Sequence, residues 1–476
     1  MFYGLVGSVL PIAVTIVTVP IYLSSIGLER YGVLTLFWLI IGYVGFLDLG
    51  IARAATNRLS QIRTDDRGKF RSTIITAFLA SLAIGAALGL AMFLLLPSLF
   101  GALYARSPDL LREIAPSLGW IGLICPIVTS GGVLIAILEA EESYFQLNLQ
   151  NTTSGVLMQI LPLIAVIIFS PSVGVAIAAA CIARIASFVW LLSICISRFE
   201  VMSAKFEFKI LTSLLGYGRS ITISNVVGPI LVSADQLVIA RLLGPAAVAQ
   251  YAIPFNIAAK LTILPMAVSR VLFPRLSHLK HEDSTVLAER TIGPMAAVMA
   301  LICCPMIIVA QPLLSYWLGR AMPVDYGLIV GLIVVGVWIN ALAIIPFSLL
   351  QAQGKQSLVA QCHLLELAPF IAVLWLSVSS FGLLGAAGAW TARVSIDALL
   401  LFRLSGSHRH ALTAAAPMGL LVFGSFLAAA LLPAGIPLYV LGSALSIALT
   451  VLYAALFEPA LRDVASRAVR LTWSRS

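Results

Sequence analysis

TISNVVGPILVSADQLVIARLLG, residues 222–244, has the length of a membrane-crossing helix, yet it carries Asp235 near its middle. About 20 apolar residues span the ~30 Å hydrocarbon core of a bilayer. An acid at mid-membrane costs ~2.5–3.5 kcal/mol on insertion scales, so one that is kept there faces a polar cavity or pairs across helices. The surrounding sequence makes this a membrane segment. Hydrophobic residues make up 61% of the 476 and charged residues 10%, against roughly 25% charged in a soluble domain. Apolar runs of about 20 residues recur from end to end. The opening run, MFYGLVGSVLPIAVTIVTVPIYL (1–23), has neither a basic flank nor a small-residue cleavage site and is expected to be a retained span. All six cysteines fall inside apolar spans without ligand or disulfide spacing, and read as core packing.

Fourteen spans can be laid along the chain, at about 4–25, 32–55, 73–96, 115–138, 150–170, 173–197, 215–240, 247–270, 291–312, 326–350, 357–378, 382–402, 413–432 and 437–457. With the N-terminus inside, nineteen of the 29 Lys and Arg fall on inner segments and five on outer ones. That bias sets the orientation and puts both termini in the cytoplasm. The net charge of +9 then lies mostly against anionic lipid headgroups. It forms no clustered basic patch of the kind nucleic acid requires.

The fourth and tenth spans end alike, in ILEAEESYFQLNLQ (137–150) and LLQAQGKQSLVAQ (349–361), which aligns Glu139-Ala140-Glu141 with Gln351-Ala352-Gln353. Farther on, LPLIAVII (161–168) matches APFIAVLW (368–375), and CIARIAS (181–187) matches WTARVSI (390–396), superposing Arg184 on Arg393. Tyr31 and Tyr251 each open a span after a short Gly-containing turn. The matches are collinear, and the unit is six spans, an even number, so both copies insert the same way round. The expected fold is an all-α polytopic membrane protein of about fourteen transmembrane helices. Two six-helix bundles (1–200 and 201–408) would be related by a pseudo-two-fold axis along the membrane normal, followed by two additional helices and a basic tail (409–476).

SADQLVIARLLGPAAVAQYAIPFNI (233–257) and ERYGVLTLFWLIIGYVGFLDLGIARAATNRL (29–59) resemble the signature stretches of polysaccharide-transporter flippases. These belong to the superfamily of multidrug, oligosaccharidyl-lipid and polysaccharide exporters, and the likeness covers roughly residues 1–400. It implies export of a lipid-linked oligosaccharide, carried on undecaprenyl diphosphate, from the cytoplasmic to the outer leaflet of a bacterial inner membrane by alternating access. The product would feed surface polysaccharide synthesis, with a polysaccharide polymerase and chain-length machinery as partners. The fourteen spans are similar to those of the lipid-II flippase branch, in which the last two helices help form a groove for the lipid tail.

A diphosphate carries roughly two negative charges, so its passage needs a water-filled cavity walled by Arg or Lys. Lys260 lies well inside its span and shares a helix face with Asn256. Arg53 pairs in the same way with Asn57 at the inner end of the second span, and Arg219 enters the seventh span ahead of Thr222 and Asn225. Arg53 and Arg219 can equally snorkel to the interface. Arg184 has no acid on its own helix, whereas Arg393 has Asp397 one turn on, and an intrahelical ion pair is the simplest account of both. The first span carries a polar stripe, Ser8, Thr15, Thr18, Tyr22 and Ser25, that either lines the cavity or bonds back to its own carbonyls. Asp235 and Asp48 are each a structural lock, a gate or a coupling site. His363 and Glu366, three apart, either relay protons or pack near the inner interface. No metal site or cofactor is expected, and coupling to H+ or Na+ stays open.

The first rival is an ion-coupled multidrug or metabolite antiporter of the same superfamily, which normally stops at twelve spans and needs fewer buried cations. A membrane polymerase or ligase would need a long outer loop with catalytic groups, and the longest outer connections, 97–114 and 313–325, contain no histidine. No Gly-rich nucleotide loop is present. The expectation is a transporter rather than an enzyme.

Overall fold

A computed structural model describes residues 2–62, 66–104, 107–199, 205–319, 326–431, 436–459 and 461, with side chains for all of these except 2–9, 199, 217–229 and 436. Fifteen α-helices follow one another with no strand among the described residues. They are α1 Phe2–Val44, α2 Ile51–Gln61, α3 Arg67–Leu103, α4 Pro108–Ile114, α5 Leu118–Ala140, α6 Tyr144–Ile168, α7 Val173–Phe199 and α8 Phe208–Leu243. After these come α9 Pro245–Ala259, α10 Ile263–His278, α11 His281–Leu318, α12 Tyr326–Ala352, α13 Gln356–Leu404, α14 His408–Leu431 and α15 Ile436–Phe457. Single 3-10 turns join α4 to α5 and α9 to α10.

Eleven continuous helical stretches are long and apolar enough to cross a membrane. Two of them are folded over at a glycine in a non-helical conformation, Gly27 in α1 (φ 80°, ψ 168°) and Gly382 in α13 (φ 58°, ψ −136°). Each of these therefore holds two spans, and α8, 36 residues long, supplies one more. The fourteen segments expected from the sequence are largely helical, although the second (32–55) is interrupted at residues 45–50.

Contacts divide the chain into two compact units, Met1–Ala252 and Ile253–Ser476, with the boundary inside α9. In the first unit, Ile51, Leu59, Ile74, Val133, Ile137, Leu191, Ile210 and Leu214 bring α2, α3, α5, α7 and α8 to one core. Small residues let α3 and α5 touch backbone to backbone. A methyl at Gly122 would sit 2.9 Å from the carbonyl oxygen of Gly89, and Thr129 donates to the carbonyl of Ser81 at 2.8 Å. This is close small-residue packing of the kind that lipid-embedded helices rely on, because lipid tails give helices no hydrophobic drive toward one another. In the second unit, Ala343 and Leu350 of α12 pack on Val359, Ala398 and Leu401 of α13. Thr391 donates to the carbonyl of Leu332, and Trp338 to that of Ala296.

The aligned sequence pairs fold alike. At the end of α5, the amides of Glu141, Glu142 and Ser143 donate to the carbonyls of Ile137, Glu139 and Leu138. At the end of α12, Gln353, Gly354 and Lys355 donate to Leu349, Gln351 and Leu350, the same three bonds 212 residues on. The left-handed position is Glu142 (φ 53°) in one turn and Gly354 (φ 75°) in the other. Gly27 (φ 80°, ψ 168°) and Gly244 (φ 89°, ψ 179°) likewise share a conformation before buried Tyr31 and Tyr251.

Three members of the polar stripe of the first span make bonds within the fold, while the side chain of Ser8 lies outside the described residues. Thr15 bonds back to the carbonyl of Pro11, Thr18 to that of Thr15, and the buried Tyr22 hydroxyl donates to the carbonyl of Gln159 at 2.7 Å. Five of the six cysteines are buried, and all six are unbridged.

Candidate functional site

The first unit encloses a cavity of about 400 Å³ walled by the end of α1 and by α5, α6 and α7. Its polar wall is Gln150, Asn151 and Ser154 from α6 with Arg184 and Ser187 from α7, while Phe46, Met158 and Phe188 supply the apolar side. The polar residues of α6 recur at helical spacing within LNLQNTTSG (147–155), which turns them to one face. Gln150 and Ser187 are buried, and Gln150 Oε1 and Ser187 Oγ have no partner among the described residues. No carboxylate among the described residues forms an ion pair with Arg184. A guanidinium with five fixed donors, held beside the polar wall of the cavity without a counter-charge among the described residues, is suited to an anionic oxygen group. Of this wall, the sequence singles out Arg184 and not Ser187 or the α6 face, for which the polar run 147–155 is the available signal.

Asp48 sits where the second span breaks. Residues 45–50 are non-helical between α1 and α2, with Leu49 (φ 56°) and Gly50 (φ 73°) both left-handed. The Asp48 carboxylate is 3% exposed. It accepts from the amide of Gly50 through Oδ1 (2.9 Å) and from that of Ala52 through Oδ2 (2.7 Å). Both oxygens therefore close the open amides at the start of α2, the role of a helix cap. Of the readings open to Asp48, this geometry matches a structural lock. Arg53, one turn on, lies near enough to act on that carboxylate, and Arg53 and Asn57 are both exposed.

Asp235 is buried in α8, where Oδ1 accepts from the amide of Gln236 at 2.8 Å. Within the first unit the hydroxyls of Tyr43 and Tyr251 lie beside its carboxylate, and Tyr43 also bonds Ser233. The acid is thus set among tyrosine hydroxyls. Arg219, Thr222 and Asn225 have side chains outside the described residues.

In the second unit, Lys260 opens the 3-10 turn Lys260–Thr262 in the middle of the run from Pro245 to His278, and both Lys260 and Asn256 are exposed. The turn interrupts the helix at membrane depth, where exposed backbone is tolerated against protein or a polar cavity.

The charged residues of α13 pair differently from the expectation. Gly382 folds α13 into a tight antiparallel hairpin, and a side chain at Gly385 would run into the carbonyl of Ser377. Across the hairpin, Arg393 Nε lies 3.5 Å from Glu366 Oε2, and His363 Nε2 lies 3.3 Å from Asp397 Oδ1. Arg393 also rests over the Phe370 ring, 5.9 Å from its centre. The expected Arg393–Asp397 pair along one helix is therefore replaced by pairing between helices. The reason is burial. The Arg393 and Glu366 side chains are 13% and 8% exposed, and a buried charge needs its partner wherever the fold places one. His363 and Glu366, read as partners of each other, belong to separate pairs.

Over residues 26–321 the chain matches the family described as Polysaccharide biosynthesis protein. A protein of Shigella flexneri named as an O-antigen transporter is 29% identical over 403 residues, 84% of this chain and 95% of that protein. Another so named, from Salmonella typhi, is 24% identical over 270 residues, 56% of this chain and 62% of its own. Among solved structures, the lipid II flippase MurJ in an inward closed conformation aligns with TM-score 0.71 at 14% identity, covering 97% of this chain and 100% of its own. An inward-facing multidrug resistance MATE family transporter of the MOP superfamily aligns with TM-score 0.68 at 16% identity, over 85% and 95% of the two chains. At such identities the structural likeness is one of fold. The relatives are transporters and flippases rather than enzymes. The chain accordingly belongs to the family described as Polysaccharide biosynthesis protein, and it shares its fold with the lipid II flippase and MATE structures.

Proposed function

We propose that this chain flips a lipid-linked oligosaccharide, carried on undecaprenyl diphosphate, from the cytoplasmic to the outer leaflet of a bacterial inner membrane by alternating access. The observation that carries the reading is the Arg184 cavity, a mainly apolar pocket with one polar wall, whose one cation has no ion-pair partner among the described residues. A diphosphate supplies the missing charge, and Gln150, Asn151 and Ser154 offer hydrogen bonds to phosphoryl or sugar oxygens. Arg53, Lys260 and Asn256, all exposed, are further candidates along the path, as are Arg219 and Asn225. The named function of the Shigella relative and the fold shared with a lipid II flippase support the same reading.

The bundles 1–200 and 201–408 would rock about the repeat axis, with 409–476 attached and both termini in the cytoplasm, as the distribution of basic residues favours. Downstream partners would be a polymerase and its chain-length machinery. Coupling to H+ or Na+ would draw on Asp235, His363 or Glu366. Asp48 is the weaker candidate because both its oxygens hold backbone amides.

The test is deletion of the gene followed by quantification of lipid-linked oligosaccharides and surface polysaccharide. A complete repeat unit should accumulate on its lipid carrier while surface polymer falls. Unchanged lipid-linked pools with altered tolerance to cationic drugs would replace this reading with a multidrug antiporter, in line with the MATE structure, which is named as a multidrug resistance transporter.

A further inference from the structure

The repeat provides an internal comparison for the Arg184 cavity. Arg184 superposes on Arg393, and the flanking matches superpose Gln159 on Glu366 and Phe188 on Asp397. The aligned positions therefore differ in charge between the two copies. In the second copy, Glu366 lies 3.5 Å from the arginine, Phe370 covers its face, and Asp397 holds His363 alongside. In the first copy, the acid positions are an amide and a phenyl ring. Arg184 faces the cavity without an ion-pair partner among the described residues, and Gln159 Oε1 is buried and unpartnered among them.

We propose that the two copies have divided the labour: Arg184 binds the anionic phosphoryl group of the substrate, and Arg393 is withheld from it because Glu366 is its ion-pair partner within the fold. This rests on the flippase reading and adds to it the identity of the arginine that does the work. The chemistry is direct. An arginine paired with a buried carboxylate gains little from a second anion, which would have to displace Glu366 and leave that charge alone in a low-dielectric site. An arginine without such a partner takes the anion at full strength. The aligned residue is glutamine at 159 and glutamate at 366, and on this proposal that difference separates the two states.

The test uses the full-length protein in lipid nanodiscs and farnesyl diphosphate as the probe, with binding read by titration calorimetry. Arg184→Met should weaken binding about ten- to a hundred-fold, the loss of charge-assisted bonds to one ligand oxygen group. Gln159→Glu, which grafts that ion-pair partner into the first copy, should weaken it to a similar extent, while Gln159→Leu stays within about two-fold of wild type. Arg393→Met alone leaves two carboxylates buried and risks misfolding, so it is made together with Glu366→Gln. That neutral pair should bind farnesyl diphosphate as wild type does. Equal weakening by Arg184→Met and by the neutral pair, or undiminished binding by Gln159→Glu, would overturn the division of labour while leaving the flippase reading in place. Failure of the wild-type protein to bind farnesyl diphosphate, together with binding of a cationic drug, would remove the flippase reading and this inference with it.

Discussion

Substitution at Asp48 separates a structural lock from a coupling site. Asp48→Ala removes two charge-assisted acceptors, the bonds to Gly50 and Ala52 at 2.9 and 2.7 Å, from a carboxylate that is 3% exposed. Each hydrogen bond to a charged group contributes roughly 1.5–3 kcal/mol, and loss of a helix cap alone costs about 0.5–2 kcal/mol. Both amides become orphans beside a left-handed Gly50, so the expected loss is about 2–4 kcal/mol of stability. Asp48→Asn keeps one acceptor oxygen and loses the charge, and should forfeit about half of that. The assay is thermal unfolding of the purified protein in detergent, paired with hydrogen exchange at the amides of residues 50–53. Alanine should lower the unfolding temperature more than asparagine, and both should speed exchange at Gly50 and Ala52. A coupling site would behave in the opposite order. Asparagine, a mimic of the protonated acid, would leave stability intact and abolish export. That outcome, or unchanged exchange in Asp48→Ala, would refute the cap.

Three other outcomes follow from the packing and the charges. Gly122→Leu should reduce the yield of folded protein sharply because α3 and α5 meet there backbone to backbone, whereas Gly119→Ala, whose methyl would meet the Phe93 ring at 3.7 Å, should be tolerated; fluorescence-detected size exclusion reads both. Arg30 and Glu113 form an ion pair at 3.0 Å, and Glu113 also accepts from the amide of Val173 at 2.9 Å. Arg30→Ala should therefore cost at most about 1 kcal/mol, as a partly exposed pair does, and Glu113→Ala more, since an amide is orphaned as well; chemical denaturation orders the two. Glu458, one residue past α15, is held above its ordinary value of 4.5 by burial, partly offset by His410. A carboxyl whose folded value is raised destabilises the fold above that value and ceases to as pH falls toward 4.5. Glu458→Gln should thus be more stable than wild type at neutral pH, and the advantage should shrink on acidification; parallel melts from pH 7.5 down to about pH 4.5 check the sign.

The helices were legible because apolar length is a one-dimensional property: each span announces itself without reference to its neighbours. The repeat was legible for a related reason, since Glu139-Ala140-Glu141 and Gln351-Ala352-Gln353 end their helices with the same three hydrogen bonds. Partnerships were not. Asp397 is four residues from Arg393, and spacing alone pairs them, but the fold at Gly382 brings Glu366 and His363 across and settles the matter through burial. For Thr15 and Tyr22 the sequence leaves a cavity lining and bonding to carbonyls both open, because a helix face shows where side chains point and not what they meet. Their bonds to Pro11 and Gln159 carbonyls use that polarity up. Arg184 is distinguished in the sequence by a negative property, the lack of an acid within reach on its own helix, and the structure places it at the cavity wall.

The hairpin in α13 also bears on how the chain enters the bilayer during synthesis. Its first limb brings His363 and Glu366 and its second brings Arg393 and Asp397. Entered singly, each limb would carry at least one bare charge into hydrocarbon at ~2.5–3.5 kcal/mol per ionised residue. Entered together, they carry a pair that is already matched, Arg393 on Glu366, with Asp397 on His363 beside it. The limb that is made first gains by remaining in the insertion channel until its partner has been translated, and Gly382 allows the two to turn on each other without an intervening loop. The corresponding pair of helices in the first unit, α6 and α7, has no such reason to wait.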